Sequence, residues 1–284
     1  EREREMEMRG SYPKILLLMV MLVVAAARDE DPSGFVTWNN NYYTTWGHQA
    51  LVLNETSELH LTLDHNSGSG FESYLIYGSG SFNMRIKAPP ETKSTGVITS
   101  FYLRSKSSRP DELCFQILGN GRQYMLNTNM FMYGEGDKAQ RFRLWFDPTK
   151  DYHSYRFLWN PHQLVFYVDD TPIRVYRKNP NTYYPAVQTM FIHGSVQNGS
   201  KIDPKQTPYT AKFQVSKIDG CVTTFMGIDK CTDPKFWWNR KENWQLSSRE
   251  RALYMNARKV YLDYDYCSDR KRYPKVPQEC TSYS

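Results

Sequence analysis

The sequence predicts an all-β fold, a sandwich or jelly roll, followed by a shorter segment with one helix. Many short segments of the 284 residues alternate apolar and polar side chains with period two, and polar turns separate them. Aromatic residues make up 15% of the chain, with 21 Tyr and 7 Trp, a composition that suits strands better than a helical protein. Many short strands joined by polar turns favour a sandwich or jelly roll.

The alternation places strands along most of the chain. Residues 36–46 are rich in Asn, Tyr and Thr and predict an edge strand or a loop. The glycine pairs at 68/70 and 78/80 are interpreted as hairpin turns, because no helix follows them as a phosphate loop requires. The predicted strands cover residues 59–63, 82–86, 97–103, 111–120, 124–131, 141–146, 152–159, 164–168, 173–177, 189–193 and 211–215.

The C-terminal part has a different pattern. Ser247 and Glu250 have the spacing of a capping box. Leu253, Ala257 and Val260 follow at i, i+4 and i+7 and predict one helix over 248–259 with an apolar face. Renewed alternation predicts a final strand over 260–266.

The N-terminal residues predict secretion. An apolar run at 15–27 is too short to span a membrane comfortably and ends in small residues, as a signal-peptidase site requires. Residues 8–14 form a better n-region than the preceding Glu/Arg alternation, so we expect translation to start at Met8. We predict that residues 1–27 are a signal peptide, and we expect no membrane association after its cleavage.

Charge and cysteine content narrow the function further. The net charge of +6 is modest, and the chain has no arginine-rich arm, so nothing indicates nucleic-acid binding. Five cysteines suit an oxidising compartment. Spacing alone leaves three pairings open for the last four of them. With no C-x-x-C pair and six scattered His, we expect no metal and no cofactor.

The chemistry concentrates in the predicted strand at 111–120. Period two places Glu112, Cys114 and Gln116 on one face and only apolar residues on the other, namely Leu113, Phe115 and Ile117. An acid, a thiol and an amide thus share the polar face. Retaining glycosidases hold two carboxyl groups about 5–5.5 Å apart across the scissile bond. This strand resembles such a site but carries only one of the two carboxyls.

The strand is similar to the active-site strand of plant xyloglucan endotransglucosylase/hydrolases of glycoside hydrolase family 16, whose pattern is H-D-E-I-D-F-E-F-L-G. The similarity covers nearly all of the chain after the leader. It includes the segments 70–73, 144–151, 159–161, 171–175 and 266–269. The resemblance implies a curved, concanavalin-like jelly-roll domain over 28–215 and a C-terminal extension over 216–284. It also implies two disulfides in the extension, Cys221–Cys231 and Cys267–Cys280.

The resemblance implies a role for each residue on the polar face. Family members cleave and religate xyloglucan by a retaining double displacement, and the match makes Glu112 the nucleophile. Cys114 replaces the helper aspartate, Gln116 replaces the acid/base glutamate, and Pro110 replaces the leading histidine. An amide has no titratable proton near neutral pH, and losing general acid/base catalysis costs about 10²–10⁴ in rate. We therefore expect an impaired enzyme that still binds glucan.

Two alternatives remain open from the sequence. The chain could still work as a transglycosylase if a water or a neighbouring acid supplied the proton. It could also lack a carbohydrate role and bind a protein partner. A catalytic role for Cys114 is disfavoured, because a low thiol pKa needs a cationic neighbour or a helix terminus, and the strand offers an acid and an amide.

The resemblance also implies a substrate surface. It assigns glucan contacts to Asn127, Thr128 and Asn129 and to the pair Asp137-Lys138. Residues 196–201 replace a family loop that carries two Trp residues, and neither is present here. Trp237, Trp238 and Trp244 are interpreted as acceptor-site aromatics or as packing residues of the extension.

Two sequons and the family resemblance bear on location. Asn54 and Asn198 each begin an N-x-[ST] sequon, which is a glycosylation acceptor in a secreted protein. We expect a monomeric glycoprotein of the plant cell wall or apoplast that has xyloglucan or a related β-glucan as its partner.

Overall fold

The computed structural model describes residues 37–47, 51–53, 57–90, 95–120, 124–199, 202, 205, 207–215 and 218–283. The predicted signal peptide at 1–27, the proposed start at Met8 and the sequon residue Asn54 lie outside these ranges. No helix in the described ranges is long and apolar enough to cross a membrane.

The described chain is mostly antiparallel β-sheet with fifteen strands, which confirms the predicted fold class. The strands are β1 (Tyr42–Trp46), β2 (Leu51–Leu53), β3 (Glu58–Leu63), β4 (Ser69–Lys87), β5 (Thr95–Arg104), β6 (Glu112–Asn120), β7 (Tyr124–Phe131), β8 (Gln140–Arg143), β9 (His153–Trp159), β10 (Gln163–Val168), β11 (Thr171–Arg177), β12 (Met190–Asn198), β13 (Tyr209–Val215), β14 (Asp219–Val222) and β15 (Leu262–Asp265). A helical turn, α1 (Trp38–Asn41), precedes β1, and one longer helix, α2 (Ser248–Tyr261), lies near the C-terminus.

Strand β4 joins two layers. Its first part pairs with β1 and β12, and its second part pairs with β9 and β13. The first layer therefore has the order β1-β4-β12-β5-β6-β7-β8-β15, and the second has the order β2-β3-β13-β4-β9-β10-β11. A strand of nineteen residues is long enough to serve both layers.

The main core lies between the two layers. Phe115 of β6 packs against Phe157 of β9 with ring centroids 4.7 Å apart and against Phe166 of β10 at 5.2 Å. These strands are not neighbours in the sheet order, so their contacts are made face to face across the sandwich. The apolar face predicted for residues 113, 115 and 117 is confirmed, since all three side chains are buried here.

The glycine pairs were wrongly predicted as hairpin turns. Gly70, Gly78 and Gly80 lie inside β4, and Gly68 immediately precedes it. Each is a glycine because other atoms lie too close for a side chain. A Cβ on Gly70 would lie 2.4 Å from Nε1 of Trp46, and one on Gly78 would lie 2.8 Å from Sγ of Cys231. Gly80 also has a φ of +157°, which favours glycine.

Several predicted boundaries also differ. The first segment starts as the turn α1 and becomes a strand only at Tyr42. The predicted strand 141–146 ends at Arg143, whereas the predicted strand 189–193 continues to Asn198. The predicted final strand 260–266 is reduced to Leu262–Asp265.

The C-terminal segment covers the outer face of the second layer. Residues of β9, β10 and β11 that point away from the main core form a second cluster with residues of this segment, including Cys221, Cys231, Trp238 and Leu246. Every residue of β10 is consequently buried. Strand β15 then pairs with β8 at the edge of the first layer, so the segment touches both layers.

Local signals in this segment were predicted correctly. Helix α2 begins with the predicted capping box: the side chain of Ser247 accepts from the backbone N–H of Glu250, and the side chain of Glu250 accepts from the backbone N–H of Ser247. The disulfides Cys221–Cys231 and Cys267–Cys280 are formed, as the resemblance implied. The predicted apolar face of the helix is only partly correct, because Ala257 is buried but Val260 is 44% exposed.

Candidate active site on the first layer

The polar face of β6 is part of what we call the site face, the face of the first layer that points away from the core. Glu112, Cys114 and Gln116 all lie on it, as predicted. The pairing of β6 with β5 and β7 shows no register shift from residue 112 to residue 118. Positions 112 and 116 are therefore about 13 Å apart at Cα. At this spacing, side chains as long as those of Glu or Gln are needed to bring their end groups to either side of one sugar linkage.

Glu112 is paired with a cation from the neighbouring strand. Nη1 of Arg104 on β5 donates a short hydrogen bond to Oε2 of Glu112. The two residues are register partners in the sheet. Burial raises the pKa of Glu112, and the charge and hydrogen bond of Arg104 oppose this shift without cancelling it.

The two substituted positions carry no usable proton. Oε1 of Gln116 accepts a hydrogen bond from Nδ2 of Asn127 at 2.9 Å. Cys114 is 3% exposed, and burial raises the pKa of its thiol, with the nearby Glu112 adding to the shift. Its sulfur lies 3.6 Å from its closest hydrogen-bond acceptor, the carbonyl oxygen of Phe115. The thiol is therefore neutral and shielded from solvent, and it is unsuited to act as a nucleophile.

The predicted substrate residues on β7 divide between two faces. Asn127 lies opposite Gln116 and Asn129 lies opposite Cys114, so both belong to the site face. Thr128, which the resemblance also assigns to substrate, differs from them, because period two turns its side chain into the core, where it has no exposed surface. Its hydroxyl donates to the carbonyl oxygen of Gln140 and accepts from Nη1 of Arg174, both at 3.1 Å.

Asp137 and Lys138 are engaged by the C-terminal segment. Nζ of Lys138 donates to Oε1 of Glu279 at 2.5 Å, and Nη2 of Arg272 lies 2.7 Å from Oδ2 of Asp137. Asp137 lies in the loop after β7 and has a positive φ of 68°. These contacts tie the β7–β8 loop to the extension, and the structure does not bring either residue to β6.

The sequence analysis missed a group of polar residues beside β6. A row of register partners crosses the site face from β7 to β4 and contains Asn129, Cys114, Tyr102, His193 and Glu72. His193 stacks on Tyr102 with ring centroids 4.7 Å apart. Burial lowers the pKa of His193 to about 4, although the Glu72 carboxylate opposes this shift.

Glu72 is the carboxylate of this row. It accepts a short hydrogen bond from the Tyr43 hydroxyl and one of 2.6 Å from Nζ of Lys106. Glu72 lies within the segment 70–73 that matched the family. Arg104 ends β5, and Lys106 follows two residues later. Nothing in the spacing of these residues showed that the sheet brings them together.

Glu72 lies in the row of Cys114 and not in that of Gln116. Three strand steps, β4-β12-β5-β6, separate it from β6, which amounts to about 14 Å between backbones. Its carboxylate is held by Tyr43 and Lys106. These contacts do not favour Glu72 as the neighbouring acid that replaces the missing proton donor.

The described residues contain no cluster of three or more His, Cys, Asp or Glu that could hold a metal ion. The tryptophans of the extension lie elsewhere. Trp238 is buried in the second cluster, Trp244 stacks on His162 at 4.0 Å, and Nε1 of Trp237 donates to Asp219. Trp238 is therefore a packing residue of the extension, whereas Trp237 and Trp244 keep exposed surface beside these contacts.

Comparison with known proteins places the chain in a family. Residues 38–219 match the model of glycosyl hydrolases family 16, and residues 232–280 match that of the xyloglucan endo-transglycosylase C-terminus. The chain belongs to glycosyl hydrolase family 16. The resemblance first noted on β6 is thus confirmed at the level of the family, and it includes the C-terminal module of the xyloglucan endotransglucosylase/hydrolases.

Two plant proteins are similar to this chain over most of their length. The protein named "Probable xyloglucan endotransglucosylase/hydrolase protein 11" of Arabidopsis thaliana is 79% identical over 281 residues, which are 98% of this chain and 100% of the relative. Xyloglucan endotransglucosylase/hydrolase protein 3 of the same plant is 42% identical over 260 residues, 87% of this chain and 89% of the relative.

Two solved glucanase structures share the fold. A β-1,3-1,4-glucanase (lichenase) from a mouse hindgut metagenome has a TM-score of 0.53 and 18% identity, over 65% of this chain and 95% of its own. The β-glucanase of Bacillus licheniformis has a TM-score of 0.52 and 21% identity, over 65% of this chain and 96% of its own. These similarities confirm the jelly-roll prediction.

Proposed function

We propose that this chain is a xyloglucan endotransglucosylase/hydrolase-like protein that keeps the nucleophile Glu112 but cleaves its natural polymer very slowly. It would act as a glucan-binding or modulatory protein of the plant cell wall. Family membership and the names of the relatives support xyloglucan as the substrate class. The observation that carries the proposal is Gln116, an amide held by Asn127 where a proton donor is needed.

The chemistry explains why this position decides the activity. Attack by Glu112 expels a sugar hydroxyl, a poor leaving group that must receive a proton as the bond breaks. The same group must then take a proton from the incoming acceptor sugar. Gln116 can do neither, although its length matches that of glutamate.

Secretion, a monomeric state and glycosylation belong to the same proposal. Asn198 is exposed at the end of β12, where a glycan can be accommodated. We also propose a division near residue 215, where β13 ends, between the jelly-roll domain and the extension.

The test is incorporation of a labelled xyloglucan oligosaccharide into xyloglucan polymer. We expect no measurable wild-type transfer, and a gain of at least about 100-fold in the variant C114D/Q116E, since general acid/base catalysis contributes about 10²–10⁴. The matched control adds E112Q to the double variant and should abolish the gain.

Three other results would change the proposal. Clear wild-type transfer that E112Q abolishes would contradict the impairment and require another proton donor. If neither wild type nor C114D/Q116E transfers the oligosaccharide but the protein is retarded in a xyloglucan affinity gel, glucan binding is supported and the restored chemistry is rejected. If there is neither transfer nor retardation in the gel, the glucan role is rejected and a protein partner is favoured.

A further inference from the structure

We propose that Arg104 is the positioning residue of Glu112, taking the role that Cys114 cannot fill. This inference rests on the proposed function, in which Glu112 is the nucleophile. The resemblance gives the residue at position 114 the task of hydrogen-bonding the nucleophile. The buried thiol of Cys114 is turned toward the carbonyl of Phe115 instead. Nothing in the family motif assigns a role to position 104.

The geometry fits a positioning role. Arg104 reaches Glu112 from the adjacent strand, and the pair are direct register partners on the site face. The guanidinium binds Oε2, which leaves Oε1 for attack on an anomeric carbon. The side chain of Glu112 is 12% exposed and that of Arg104 is 46% exposed, so the cation reaches the buried acid from the solvent side.

Among the described titratable groups that face Glu112, Arg104 is the one that carries a charge. On β6 the neighbouring titratable group is Cys114, and on β5 it is Tyr102. Burial raises the pKa of both, so both are neutral in the acidic and neutral range. The β7 partners of these positions, Phe131 and Asn129, do not titrate. Removing Arg104 would therefore leave a buried carboxylate without its compensating charge.

A glycosyl fluoride isolates this step from the missing proton donor. In a 2-deoxy-2-fluoro-β-glycosyl fluoride of a xyloglucan oligosaccharide, a Glu112 oxygen bonds to the anomeric carbon and the C–F bond breaks. Fluoride leaves with the electron pair and needs no proton. The ester accumulates, and its formation is followed by intact mass and peptide mapping across the range from about pH 4 to 8, which brackets the titration of a raised glutamate.

The variants are R104M, R104K and, as a matched control, K106M. Lys106, two residues after Arg104, pairs in the same way with a buried acid, Glu72, so K106M removes an equal charge from the same segment. In R104M we expect the acidic limb of the pH profile of the labelling rate to move to higher pH by about one unit. The labelling rate at acidic pH should therefore fall by up to about tenfold. In R104K the acidic limb should return most of the way to its wild-type pH, and in K106M it should stay at the wild-type pH.

A second measurement does not depend on labelling. The carboxyl carbon of Glu112 can be titrated by NMR in wild type and R104M, and the midpoint should rise in R104M by the same amount. An unchanged midpoint and limb in R104M would overturn the positioning role while leaving Glu112 as the nucleophile. A raised NMR midpoint without labelling of any variant would support the pairing and reject the proposed nucleophile.

Discussion

Asn127 and Thr128 are adjacent in β7, yet their side chains serve different purposes. Asn127 faces the substrate side and holds Gln116. Thr128 is buried and lies in a network in which Arg174 also donates to its carbonyl oxygen at 3.0 Å and to the carbonyl oxygen of Lys138 at 2.6 Å. The stretch that the family resemblance assigns to substrate therefore has one side chain on the site face and the next in the core.

This division can be tested with a pair of substitutions. T128V should lower the free energy of unfolding by about 1–3 kcal/mol, because a donor of the buried Arg174 loses its acceptor. N127A should change stability by less than about 0.5 kcal/mol, since the residue is only half-buried and lies outside the core. Urea denaturation and retardation in a xyloglucan affinity gel separate the two effects.

The expected retardation pattern is the reverse of the stability pattern. N127A should weaken retardation in the gel several-fold, and T128V should leave it unchanged at temperatures where the protein is folded. Weaker retardation of T128V than of N127A would contradict the assignment of faces.

Alternation predicted the residues of the site that share one strand, and it could not predict those that come from others. Glu112, Cys114 and Gln116 were placed correctly, because side chains two apart in a strand always share a face. Arg104 and Glu72 were missed because their positions depend on the strand order and register, which are set by long-range packing. The burial of Thr128 was not anticipated, because the family assignment was applied without this period.

At the scale of secondary structure, β4 shows why glycines in a strand need a packing explanation. Gly78 lies against the Cys221–Cys231 disulfide of the extension. A Cβ at this position would lie 3.0 Å from Cβ of Cys231 and 3.0 Å from Cγ1 of Ile228. The glycine allows the second cluster to close on β4.

Gly78 is therefore a sensitive site for substitution. G78A should lower the free energy of unfolding by about 1–3 kcal/mol, a typical cost of overpacking. The loss should be smaller in a C221A/C231A background, where the sulfur that the new methyl meets is absent. Equal losses in the two backgrounds, measured by urea denaturation, would show that Cys231 is not the obstacle.

Elements with local signals were predicted well and those that depend on partners were not. The capping box fixed the start of α2, because Ser247 and Glu250 satisfy each other's backbone groups without any distant residue. The length of β4 depends on five strands that pair along it. Its glycines resemble turn residues unless those partners are known.

At the scale of the whole molecule, the extension is part of one cooperative structure rather than an appendage. It covers the second layer through the second cluster and adds β15 to the edge of the first layer. Lys138 of the first layer also reaches Glu279 near the C-terminus. The two disulfides stabilise this segment at its two ends.

The two disulfides should contribute unequally. Each closes a short loop, with sequence separations of 10 and 13, and the chain-entropy contribution of such loops is about 3 kcal/mol. C221A/C231A should cost more stability than C267S/C280S, because Cys221 and Cys231 are also buried in the second cluster. Urea midpoints of the two variants provide the comparison, and equal midpoints would mean that this burial adds nothing.

The shared strand β4 has a consequence for how the chain folds during synthesis. Its neighbours come from both ends of the domain, with β1 ending at Trp46 and β12, β13 and β14 lying between residues 190 and 222. The strands β12, β13 and β14 cover both edges of β4. Until they emerge, these edges remain open and can pair with other chains. Assembly of this sandwich is therefore dominated by non-local pairing, which makes folding slow and leaves the nascent chain dependent on protection from aggregation.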